Sequence, residues 1–495
     1  MDGLRPRRAR KFIVVLAAAA CAGACGRVDR QQYADAVRQL AAKAPSWVER
    51  TEYGKRIWSL EQKFYEQRNY LPAWIDGDDP TPQLDVLLQA LGDAELHGLE
   101  PSRYGVSGLV AERRKADEAT IGTSFDHQRV PELDLRFTYA FLKHAGDLLG
   151  WARSPRDVDR NWLATPRKED LVADLTNALD GNRVRETLDA LAPAHPQYKG
   201  LQAALARYRK EGERAVAGTS GDPGNDMPVS WRLQQIRMNL ERWRWVPRDL
   251  GERHILINVP AYQMQVIEGE KPVLAMRVIV GKPDTPTPLF SDFMTYVVFS
   301  PYWNIPETIL REETVPKLVN DPEYLVRNNI EVVRGAGKTE EVVDPSSIDW
   351  SDKGAVGGVR FRQVPGPDNA LGLVKFIFPN HFNVYLHDTP GDALFNRERR
   401  TLSHGCIRIE KPAELAEYVL ADQPQWTAER INTAMSARQE QSVTLKKALP
   451  VHIGYWTAWV GADGQVGFTE DPYGLDRAQA RLMAPGAASS ATRAE

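Results

Sequence analysis

The sequence predicts an α+β protein, with a helical N-terminal region followed by a mostly-β region that carries one long insertion. Three observations carry this. Apolar residues recur at three- and four-residue spacing as far as about residue 211, strict alternation begins near Ile255, and residues 334–369 inside the β region are rich in Gly, Pro and Asp. A chain of 495 residues is long enough for about three domains, each with its own core. The net charge is −3, with both signs interspersed, which gives no footprint for a nucleic-acid partner.

Residues 1–25 read as an export signal. Arg5, Arg7, Arg8, Arg10 and Lys11 precede the apolar run from Phe12 to Ala20, which is short for a membrane span. Small residues Ala22, Gly23 and Ala24 then lead to Cys25, a candidate lipidation site that would tether the protein to a membrane; Cys21 is a weaker one. The expected location is the periplasm. With Cys21 and Cys25 in or at the signal, Cys406 is the remaining thiol, and an unpaired cysteine in an oxidising compartment is flagged as reactive.

Residues 26–211 read as a helical scaffold. Ile57, Leu60 and Phe64 share a helix face, and Thr81-Pro82 opens a helix carrying Leu84, Leu87, Leu88 and Leu91 with Gly98 as a stop. Leu133, Phe137, Ala140, Phe141 and Leu148 form another stripe, and Thr165-Pro166 is read as the start of a helix through Leu171, Leu175 and Leu179. Residues 212–229 are a linker by composition. Ser230 is read as the cap of a helix with Leu233, Ile236, Leu240 and Trp243 on one face. In the β region, residues 262–267 and 273–280 flank Glu268-Gly269-Glu270 as a hairpin, and residues 294–299 form another strand. Residues 305–368 are expected to be a lid, with a helix from Pro306 to Leu318 and with Trp303 and Asn304 near its root. Residues 434–483 are expected to complete the catalytic sheet, and residues 484–495 to be a disordered tail.

Residues 381–409 concentrate the chemistry. Phe382, Val384 and Leu386 alternate, predicting a strand that ends on His387, and Ser403-His404-Gly405-Cys406-Ile407-Arg408 follows after fifteen residues. A cysteine and a strand-end histidine are the parts of a thiolate nucleophile with its base. Two plainer readings stand beside this. Cys406 could be a small buried hydrophobe, and His381, His387, His404 and Cys406 could ligate zinc, although their spacing matches neither C-x-x-C nor H-E-x-x-H.

The histidine, the spacer and the Ser-His-Gly-Cys-x-Arg run resemble the signature of YkuD-type L,D-transpeptidases. The flanking Asn369-Ala370-Leu371-Gly372 and Phe378-Pro379-Asn380, with Phe64-Tyr65 and Leu71-Pro72-Ala73-Trp74 upstream, are similar to the large Gram-negative YcbB-like branch. The resemblance implies a catalytic domain at 230–433 with Cys406 as nucleophile and His387 as general base, and backbone amides around His404 and Gly405 as an oxyanion hole. It implies peptidoglycan stem peptides as partners, contacted by Arg408, Ser403, Tyr385, Trp303 and Asn304, with neither cofactor nor metal. It also implies the loss of one module: the stretch after Tyr208 is too short for the peptidoglycan-binding domain that relatives carry there.

Overall fold

The computed structural model describes residues 30–118, 125–164, 167–216, 228–321, 323–335, 339–348 and 358–484. The signal, Cys21, Cys25, the Thr165-Pro166 pair and residues 485–495 of the tail lie outside these. Among the described residues no helix is long and apolar enough to cross a membrane.

The N-terminal region is helical, as its periodicity requires. The helix Val130–Leu148 is buried on nearly every face and forms the axis, with Glu52–Gln67 packed along it. One of its buried charged residues organises the neighbourhood. Asp134, fully buried, accepts hydrogen bonds from the amides of Ala73, Trp74 and Ile75 and from the Tyr65 hydroxyl. A buried carboxylate needs such donors, and here they come from the two aromatic motifs noted in the sequence. The helix expected from Thr165-Pro166 begins instead at Leu171, where the Asp170 side chain accepts from Ala173 N and closes the first turn.

The linker is shorter than its composition implied. The helix Pro196–Val216 runs past residue 211, and the next helix, Val229–Trp245, opens behind Pro228 instead of being capped by Ser230. Only residues 217–228 separate the two. Tyr198, Leu201 and Leu205 of the first helix pack with Ile236, Leu240 and Trp243 of the second, and Trp456 stacks on Trp243 at 4.5 Å.

The β region is built on a nine-stranded sheet. Its spatial order is Thr401–Ser403, Lys271–Gly281, Ile407–Ile409, Leu386–His387, Val374–Ile377, Ser291–Phe299, Gln441–Gly454, Arg253–Asn258 and Gln263–Glu268. Strand Gln263–Glu268 also pairs with Lys271–Gly281 as the expected hairpin, with Gly269 at φ +60°, so the sheet closes on itself. Only part of the C-terminal expectation holds. Gln441–Gly454 joins this sheet, but Ala458–Val460 and Val466–Phe468 form a separate pair that packs against the scaffold's last helix. The closing helix Leu475–Met483 is tied to Val229–Trp245 by a fully buried Arg242–Asp476 ion pair of 2.8 Å.

The inserted segment is more structured than its Gly and Pro content implied. Trp303–Asn304, Arg360–Gln363, Ile330–Arg334 and Glu341–Val343 form a four-stranded sheet. Ile305, Leu318, Leu325, Val332 and Phe361 give it a hydrophobic core of its own. Residues 307–320 are helical as expected, with a π turn at Leu310–Thr314.

Candidate active site

The strand expected from Phe382 is only Leu386–His387. The preceding loop is held out of the sheet by Asn380, whose side chain accepts from the amides of Phe382 and Val384 and donates to the carbonyls of Phe378 and Val384. Asn383 adopts a left-handed φ of +55° in that loop. Two residues of ladder suffice, because Leu386 and His387 are flanked on both sides. They pair antiparallel with Phe376 and Lys375 and parallel with Ile407 and Arg408.

That register brings the chemistry together. Leu386 lies opposite Ile407 and His387 opposite Arg408, so Cys406 stands beside Tyr385, and its side chain shares a sheet face with the His387 imidazole two residues further along the neighbouring strand. His387 is buried, and its Nδ1 lies 2.6 Å from the carbonyl oxygen of Asp388. A carbonyl can only accept, so Nδ1 carries the proton and Nε2 keeps the lone pair. This is the orienting group that the sequence left unidentified. Burial, then the Arg408 guanidinium, pushes the imidazole down to about 3, against the opposing pull of the Asp388 and Leu371 carbonyls. The ring therefore rests neutral. Cys406 is partly exposed, and burial of its sulfur pushes the thiol up. At rest the pair is thiol and imidazole, and Sγ faces the Asn383 carbonyl at 3.9 Å.

Ser403, an expected contact residue, and Gly405, an expected oxyanion donor, are both engaged within the loop. Ser403 is buried. Its hydroxyl donates to the Cys406 carbonyl at 2.5 Å and accepts from Gly405 N at 3.2 Å, so it shapes the turn. The same bond occupies the Gly405 amide that was expected in an oxyanion hole. The Cys406 amide has no acceptor among the described residues and remains available. Gly405 sits at φ +112°, a conformation that an L side chain rarely adopts, and its carbonyl accepts from Thr287 Oγ1 at 2.8 Å. Thr287, and Tyr473 whose hydroxyl accepts from the Thr287 amide, are supports that sequence spacing does not disclose.

Arg408 is half-buried, forms no ion pair among the described residues, and has a buried Nε without a partner. Surface salt-bridging therefore does not account for it. Tyr385 is half-buried beside Cys406, edge-on to the His387 ring at 5.8 Å. Trp303 packs on the core of the inserted sheet, and Asn304 pairs with Arg362 at its root. His404 turns its side chain toward the inserted segment, where Nε2 meets Glu313 Oε1 at 2.7 Å. His381 lines a separate cleft with Trp162, Trp245 and Asn380. Among the described residues no three of these groups converge as metal ligands.

Residues 252–453 match the family of L,D-transpeptidase catalytic domains, and residues 59–205 match a family of scaffold domains. The chain therefore carries an L,D-transpeptidase catalytic domain of the YkuD type behind a scaffold domain. A Haemophilus influenzae protein named provisionally as an L,D-transpeptidase is 31% identical over 338 residues, which cover 67% of this chain and 64% of that protein. Among solved structures, an L,D-transpeptidase from Mycobacterium smegmatis aligns at 16% identity over 41% of this chain and 58% of its own, with a TM-score of 0.19. The L,D-transpeptidase LdtMt1 in complex with imipenem aligns at 14% identity over the same shares, with a TM-score of 0.20. At such scores the structural matches carry no argument of their own.

Proposed function

We propose that this protein is a peptidoglycan L,D-transpeptidase that forms 3→3 cross-links through a Cys406 acyl-enzyme. The observation that carries the reading is the register of Leu386–His387 against Ile407–Ile409, which puts an oriented imidazole on the same sheet face as the one described thiol and opposite Arg408, whose guanidinium has no ion pair among the described residues. Nε2 of His387 takes the Sγ proton as sulfur attacks the carbonyl at the L-centre of the third residue of a tetrapeptide stem. The Cys406 amide receives the developing oxyanion. The carbon–nitrogen bond to D-Ala breaks, and His387 returns the proton to the leaving amine. A side-chain amine of a second stem then displaces sulfur. Arg408 is suited to hold the carboxylate of the donor stem. Because the thiol rests protonated, base and nucleophile act in concert and no preformed ion pair is needed.

The enzyme is exported and works in the periplasm, held near the membrane if Cys25 is acylated. With only residues 217–228 between the two helices there is no room for a wall-binding module at that point. The soluble form begun after Cys25 is expected to bind sacculi weakly and still to be acylated by a small carbapenem, because local concentration and chemistry separate. The alternatives are water as acceptor, giving an endopeptidase or L,D-carboxypeptidase, or a wall-binding scaffold without catalysis. Mass spectrometry of muropeptides after incubation with tetrapeptide-rich sacculi decides among them. Cross-linked dimers with D-Ala release support transfer, tripeptides alone support hydrolysis, and unchanged muropeptides support a non-catalytic role.

A further inference from the structure

The inserted segment contributes one side chain to the nucleophile's own loop. Glu313 lies on the π turn Leu310–Thr314, a helix irregularity that often marks functional positions. Its Oε1 is 2.7 Å from Nε2 of His404, two residues before Cys406, and the two side chains are 42% and 35% exposed. A carboxylate only accepts, so Nε2 carries a proton, and in the neutral ring Nδ1 keeps a free lone pair. Among the described residues Nδ1 of His404 has no hydrogen-bond partner. A carboxylate-oriented imidazole therefore stands at the mouth of the site, apart from buried His387.

Charge divides the site between two ends. His387 lies between Arg408 and Lys375, both cations that disfavour an incoming ammonium. Around Glu313 an open groove of about 630 Å³ is lined by Glu312, Glu313, Pro316, Lys317, Asp321 and Tyr324; Arg311 pairs with Glu312 and Arg327 with Asp321, so among the described residues Glu313 is the carboxylate there that no Lys or Arg neutralises. A donor carboxylate suits the first end, and a protonated side-chain amine suits the second.

We infer that His404 is the base of the acceptor half-reaction and that Glu313 is its positioning residue, which together select an amine over water. The inference rests on the transpeptidase reading. The acceptor ammonium gives one proton to Nδ1 of His404, which passes it to solvent. The amine nitrogen attacks the thioester carbon, the carbon–nitrogen bond forms and the carbon–sulfur bond breaks. The second nitrogen proton returns to sulfur by way of His387, restoring the thiol.

The test uses the full chain with Glu313→Gln, Glu313→Asp and His404→Gln. Two quantities are read: acylation of Cys406 by a carbapenem, followed by intact mass, and the ratio of transfer to hydrolysis when a tetrapeptide donor meets a tripeptide with a free side-chain amine. The ratio is expected to fall at least about tenfold more than acylation does in Glu313→Gln and His404→Gln, with partial recovery in Glu313→Asp. The deficit in Glu313→Gln should shrink as pH rises and the amine arrives already deprotonated. An unchanged ratio overturns the inference, and so does an equal fall in acylation and transfer, which would make the pair a support for the loop. A wild-type protein that is never acylated would remove the transpeptidase reading itself, and this inference with it.

Discussion

Two walls face Cys406, and they are built on different principles. One is the closed sheet, where His387 and Arg408 are fixed by ladder bonds on both sides and the surroundings are apolar. The other is the inserted four-stranded unit, which has a small core of its own and is laced by partly exposed ion pairs such as Arg362–Glu331 at 3.0 Å. Exposed pairs of this kind stabilise by roughly 0–1 kcal/mol each, so the second wall has far less holding it in one place. The contrast assigns precision to the sheet and adaptability to the insertion. Proton transfer needs atoms held to a fraction of an ångström, whereas admission of a bulky peptide needs a wall that can move.

The comparison breaks most sharply at the nucleophile. Cys406→Ser should fold as the wild type and lose essentially all transfer, because a hydroxyl is a far weaker nucleophile near neutral pH. Cross-linking by this variant above a small fraction of wild type would remove Cys406 from the mechanism. Next in size, His387→Gln should lower acylation by about 10²–10⁴-fold, the usual worth of a positioned base, measured as the carbapenem acylation rate.

A third variant reaches the imidazole through its support. Gly372 sits at φ +61°, and a Cβ there would lie 2.4 Å from Cγ of Asp388. Asp388 accepts from the amides of Leu373 and Thr389, and its carbonyl holds His387. Gly372→Ala should therefore displace the imidazole and cost about 10²-fold in acylation, since a misplacement near 1 Å has that effect. Near-wild-type kinetics in a folded Gly372→Ala would show that the Asp388 carbonyl does not set the ring.

The insertion should be dispensable for folding. Replacing residues 305–362 with a short loop removes a unit with a separate core, so the closed sheet should persist by circular dichroism. Transfer should fall by about tenfold and lose its preference for the amine acceptor. Global unfolding would place the insertion on the sheet's side of the comparison. The last expected effect concerns pH and stability, not turnover. His387 is neutral in the fold down to about 3, while its unfolded counterpart protonates near 6.5, so the unfolded state binds more protons between those values. Wild type should lose stability relative to His387→Gln as pH falls through that window, by about 1.4 kcal/mol per pH unit, and the difference should be constant above it. Denaturant titrations of both proteins at several pH values measure this.

The sequence by itself determined what depends on neighbours along the chain. Helical periodicity around Val130–Leu148, the Gly269 hairpin and the His387–Cys406 spacing are local patterns, and each is where its residues placed it. Tertiary structure alone decided the rest. Any residue has a carbonyl, so nothing in Asp388 as a residue type announces that its main chain orients His387. Glu313 lies 91 residues from His404, and only the folding of the insertion brings them together. Ser403 carries a hydroxyl fit for a ligand, but the left-handed turn at Gly405 directs it to backbone groups. Alternation from Phe382 promised a long strand, but the Asn380 side chain satisfies the backbone of that loop and leaves only two residues for the sheet. Local preferences select an element's type, whereas hydrogen bonds between distant segments set where it ends and what its side chains meet.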